Sequence, residues 1–76
     1  MKTAEFTKIH DRYFAGKVIV IVDQVVAVEQ GHTEYAWNPP SEGYGRSVET
    51  SVICFVGGSR VTVEGTFDDV MATLAA

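Results

Sequence analysis

This chain has very little of what usually staples or anchors a small protein. It has one cysteine, Cys54, so no disulfide can form within it. No Cys/His spacing suggests structural zinc. Repeats, low-complexity segments and interdomain linkers are absent. Residues 1–5 lead to no apolar signal-peptide core. The longest β-branched apolar run, 18–22, is far too short to span a bilayer. Together these absences exclude a disulfide scaffold, a zinc module and a membrane-spanning helix, and a lone thiol suits a reducing, cytoplasmic setting. The 76 residues predict one domain near the lower limit for folding alone. With no staple, association between copies is the expected extra source of stability, and the 46% hydrophobic content agrees.

The formal net charge of −4 argues against a general nucleic-acid binder. Residues 1–17 carry Lys2, Lys8, Arg12 and Lys17 against Glu5 and Asp11, a net of +2. The remainder carries Arg46 and Arg60 against eight acids, a net of −6. A weak basic excess of this kind reads as a solvated strand edge.

What is present is mostly β. Residues 3–9 fit a strand, with a helix over 4–14 as the rival. Lys17-Val18-Ile19-Val20-Ile21-Val22 is almost wholly β-branched and predicts a strand. Asp23-Gln24 breaks the run and 25–30 resumes it. Gly31-His32 reads as a turn, and 33–37 as strand. Residues 38–47, with Pro39, Pro40, Gly43 and Gly45, read as a loop. Residues 48–56 form the next long strand. Gly57-Gly58 suits a type I′ hairpin, which needs positive φ at both central positions, and 59–64 returns antiparallel.

Thr66 is a helix N-cap, with Asp68 and Asp69 in the first turn where the helix dipole favours acids. Phe67, Val70, Met71 and Leu74 follow the spacing of one helical face. The expected fold is all-β: five short strands in a strongly bent antiparallel sheet, an SH3-like or Sm-like barrel, with a C-terminal helix at about 66–75. A flat sheet crossed by the helix is the runner-up.

Two strands are apolar on both faces. Val18, Val20 and Val22 point one way, and Ile19 and Ile21 the other. Val52, Cys54 and Val56 point one way, and Ile53 and Phe55 the other. Only one face of a small sheet can line the interior. The other needs the helix or a second subunit, so a homo-oligomer is expected.

Two resemblances follow from these motifs. Val25–Glu29, Ser51–Ile53 with Gly57-Gly58, Val61–Glu64 and Thr66–Val70 form a pattern similar to small FlbD-type flagellar proteins. It is also similar to many short bacterial and phage proteins of unassigned role. The stretch from Tyr35 to Ser47 departs from that pattern. Val56-Gly57-Gly58-Ser59-Arg60-Val61 resembles the second motif of Sm-like proteins, matching at Val56, Gly58 and Val61. Gly57 stands in place of the basic residue and Arg60 in place of the asparagine, and the first Sm motif is not recognisable. That resemblance implies a barrel that assembles edge to edge into a ring and binds RNA, with Arg60 as the carried-over contact.

No catalytic constellation follows from the sequence, and the chain is not expected to be an enzyme or to hold a metal or cofactor. His10 and Asp11 are adjacent, so on a strand they face opposite ways, and His32 sits at the expected turn. Cys54, between apolar neighbours, reads as a buried small hydrophobe. Gly57-Gly58 precedes a strand, whereas a phosphate-binding loop precedes a helix. The candidate binding surface is Trp37, Tyr44, Arg46 and Arg60, with Tyr35 nearby, since aromatic and arginine side chains concentrate at binding hot spots. The expected role is an oligomerising interaction module with an unidentified protein partner. RNA binding is the alternative, disfavoured by charge.

Overall fold

A computed structural model of the chain describes residues 1–38 and 44–76. Five strands close into a barrel in the order β1-β2-β3-β4-β5. They are β1 (Thr3–His10), β2 (Tyr13–Ile21), β3 (Val25–Trp37), β4 (Gly45–Phe55) and β5 (Arg60–Glu64), followed by helix α1 (Phe67–Ala75). The mainly β barrel with one C-terminal helix is the architecture the periodicity predicts. Among the described residues no helix is long and apolar enough to cross a membrane.

The N-terminal segment is strand throughout, which settles the choice against a helix over 4–14. It turns tightly at Asp11 and Arg12, with φ of 50° and 70°, and returns as β2. The pairing β1–β2 runs from Thr3↔Ile21 to His10↔Tyr13, with a bulge between Thr7 and Ile9. β2 therefore begins at Tyr13, earlier than the β-branched run suggests. Asp23-Gln24 does break that run, as part of a single 3-10 turn (Val22–Gln24).

Gly31-His32 is not a turn. β3 runs straight through it, and the extra residue is taken up as a bulge between Gln30 and Thr33 against β4. Thr50 holds this bulge, its Oγ1 accepting from the His32 amide at 3.1 Å and donating to the His32 carbonyl at 2.7 Å. A Cβ on Gly31 would lie 2.7 Å from the Thr50 carbonyl oxygen, so only glycine fits that approach.

β4 starts at Gly45, so Gly45, Arg46 and Ser47 are strand rather than loop. Of the expected loop, Pro39, Pro40 and Gly43 lie outside the described residues. Gly57 and Gly58 both have positive φ, 92° and 95°. The closing bond, however, runs from the Gly58 amide to the Phe55 carbonyl at 3.0 Å. Val56 and Gly57 are therefore the central residues, one step earlier than the expected type I′ turn. With positive φ at the second central residue alone, that is type II geometry.

The helix forms as expected, capped by the Thr66 hydroxyl, which accepts from the Asp69 amide at 3.1 Å. Its buried stripe is narrower than predicted. Val70 and Leu74 enter the core, while Phe67 and Met71 stay 38% and 42% exposed. The main core joins them to Ala4, Phe6, Val20, Ile53 and Val63. A second, smaller core holds Ile9, Ala36 and Val48, with Phe14 against it.

β4 serves both cores, because Ile53 and Val48 lie on opposite faces of that strand. This accounts for much of its two-sided apolar pattern without a second subunit. The rest of its second face, Val52 and Cys54, is half-buried under a side-chain pair described below. β2 differs. Val20 is buried, and Ile19 and Ile21 are left 60% and 41% exposed.

Candidate functional site

The four residues singled out from the sequence do not form one surface. Trp37 pairs with Gly45 where β3 and β4 leave the barrel, and the Asn38 amide donates to the Tyr44 carbonyl at 2.8 Å. Trp37 and Tyr44 are therefore near one another along the paired backbones without being cross-strand partners. Arg46 pairs with Ala36, one residue along, and so points to the other face of the sheet. Arg60 sits opposite Cys54 at the far end of β4.

Both arginines are committed to carboxylates. Arg46 makes a two-pronged bond to Glu64, at 2.6 and 3.2 Å, and its guanidinium stands 4.7 Å from the centre of the Phe14 ring. The hydrogen bond to Glu64 chiefly holds its pKa above the ordinary arginine value. Arg60 is paired with Glu29 across β4. Since Glu29 lies opposite Val52 and Arg60 opposite Cys54, the pair lies over these two side chains. The pKa of Arg60 is raised first by a hydrogen bond to Cys54 and then by the charge of Glu29. Cys54 is thus half-buried beneath a cation rather than sunk among hydrophobes.

His10 and Asp11 do meet, at 3.4 Å, because Asp11 is a turn residue and not part of the strand. Both are exposed, and among the described residues no group of three or more potential metal ligands gathers.

Among the described residues, two concave regions stand out. A polar groove of about 510 Å³ is lined by Arg12, Thr33, Glu34, Tyr35 and Trp37. Its aromatic wall is an edge-to-face pair, Tyr35 and Trp37, with ring centres 4.9 Å apart. Tyr35 also lies over Gly45, where a Cβ would sit 2.6 Å from its ring. Arg12 reaches the groove from within the tight turn it forms with Asp11. The sequence offered no Gly or Asn there to signal such a turn, so its role was not legible. An apolar groove of about 340 Å³ lies between the start of β3 and the end of α1, lined by Val22, Val25, Val26, Val28, Met71 and Leu74.

The barrel has an incomplete seam. The ladder between β2 and β3 consists of the single pair Tyr13↔Trp37. From Phe14 to Ile21, β2 has β1 on one side and, among the described residues, no ladder partner on the other.

Comparison with known proteins finds no matching family model, no matching curated protein and no matching solved structure.

Proposed function

We propose that this chain is a non-enzymatic interaction module that works as a homo-oligomer. The observation that carries this reading is a set of large apolar side chains held in solvent, two of them on one face of β2 and two at the rim of the apolar groove. Ile19 and Ile21 lie on β2, Val26 (63% exposed) on β3 and Met71 on α1. Val26 and Met71 rim the apolar groove, and Ile21 leads into the 3-10 turn that supplies Val22 to it. Apolar side chains gathered in this way, rather than scattered singly, mark association surfaces. A reducing compartment, the cytoplasm, suits the unpaired Cys54.

Light scattering on a gel-filtration column tests the reading. An oligomer at micromolar concentration is expected, and a mass equal to the 8.3 kDa chain would overturn it.

A second reading, single-stranded RNA binding, draws on the groove of Arg12, Tyr35 and Trp37, because exposed aromatic faces beside a cation suit base stacking. Glu34 lines the same groove, Arg60 is bound to Glu29, and the net charge is −4. Titration with a labelled single-stranded RNA is expected to show no binding at physiological salt. A salt-sensitive affinity lost in Trp37→Ala would promote this second reading.

A further inference from the structure

The unpaired edge of β2 carries a more specific conclusion, which rests on the reading of self-association. The amide of Val22 donates to the Lys2 carbonyl at 3.0 Å. Hydrogen-bonded and non-hydrogen-bonded pairs alternate along an antiparallel ladder. Continuing that alternation, Val20 and Val18 bond β1 through Ala4 and Phe6. The backbone N–H and C=O groups of Lys17, Ile19 and Ile21 then point the other way, toward the seam where β2 has no ladder partner. The helix packs mainly on β3, β1 and β4. Edges of this kind are templates for pairing with another chain, and natural proteins blunt them with charge, proline or a bulge. Here Gly16, at φ 84°, and Lys17 interrupt the start of the strand, and Val18–Ile21 has no such protection.

We propose that two copies of this chain join through antiparallel pairing of their β2 edges about a two-fold axis at Val20. The charges select this register. Residues with outward backbone groups must face one another, and only axes at Val18, Ile19 or Val20 pair two different members of the set Lys17, Ile19 and Ile21. Of these, the axis at Val20 alone carries Lys17 past the end of the partner copy's strand to the 3-10 turn that holds Asp23; the others set Lys17 against an isoleucine. Among the described residues, neither Lys17 nor Asp23 is in an ion pair within the chain. The same register sets each exposed Ile19 against the other copy's Ile21. One contact thus uses the unpaired backbone groups, the two exposed isoleucines and the two unpaired charges. The contact is self-complementary, so it closes at two copies rather than continuing as a ring.

Three variants test the proposal by light scattering, with circular dichroism reporting the fold. Ile19→Pro removes an amide that points to the seam and leaves the β1 ladder intact, since proline is tolerated where the strand N–H faces outward. The wild type is expected at twice the 8.3 kDa chain mass, and folded Ile19→Pro at the single mass. Lys17→Asp is expected to weaken the dimer at least tenfold, and adding Asp23→Lys to restore it. The charge pair decides the matter if the proline variant does not fold.

A monomeric wild type would overturn both the proposal and the reading beneath it. An oligomer unchanged in Ile19→Pro and in Lys17→Asp would leave self-association standing and overturn the β2 contact. A ring larger than a dimer would overturn the two-fold arrangement.

Discussion

The amide of Trp37 donates to the carbonyl oxygen of Arg12 at 2.8 Å, and beside this bond β2 and β3 make their one ladder pair. The barrel is thus closed on this side by a residue in a left-handed turn. A non-glycine residue in that conformation costs about 1–2 kcal/mol, and glycine recovers most of it, less about 0.5–1 kcal/mol of chain entropy. Arg12→Gly is therefore expected to stabilise the fold by roughly 0.5–1 kcal/mol and to raise the melting temperature by a few degrees. A lower melting temperature would show that the side chain of Arg12, rather than its backbone, holds the seam.

Leu74 and Val70 are the only helix residues buried in the main core. Leu74→Asp puts an unpaired charge there and should cost several kcal/mol, enough to leave much of the chain unfolded at room temperature. Melting within about 2 °C of wild type would mean that the helix is not docked.

Ser51 is fully buried and its hydroxyl donates to the Gly65 carbonyl at 2.9 Å, just where the chain leaves β5 for the helix. Ser51→Ala leaves that carbonyl without this donor and should cost about 1–3 kcal/mol. Urea denaturation measures it, and an unchanged midpoint would count against the bond.

Arg46 ties Glu64 to the ring of Phe14 over the smaller core. An exposed ion pair contributes about 0.2–1 kcal/mol and an exposed cation–π contact about 0.5–1 kcal/mol. Arg46→Ala should cost roughly 1–2 kcal/mol by the sum of these. In a double-mutant cycle with Glu64→Gln the coupling should shrink as salt is added. A coupling near zero beside a full cost for Arg46→Ala would mean that packing on Phe14, not charge, is what Arg46 supplies.

The parts of the fold legible in the sequence are those written in local periodicity. The run Val18–Ile21, the strand through Ile53 and the Thr66-capped helix each announce themselves within a few residues. The hairpin at Asp11-Arg12 does not, because the pair lacks the glycine that usually marks a turn with positive φ at both positions. The bulge at Gly31-His32 reads locally as a turn, since its support, Thr50, comes from another strand. The expected binding surface failed as a unit for a related reason. Arg46 and Trp37 are near in sequence and sit on paired strands, yet strand alternation sends them to opposite faces. The partner of Arg60 is Glu29, and no local pattern couples two residues on β3 and β5.

Lys8 on β1 is opposite Val63 on β5. The barrel cannot close on that side until nearly the whole chain has been synthesised. Non-local pairings of this kind make folding slow, because loop entropy is lost before the contact returns it. A nascent chain would therefore hold the β1–β2 hairpin, with its Val18–Ile21 run, unsheltered while β4, β5 and the helix are still being made. The order of synthesis thus makes the most association-prone segment wait for its cover.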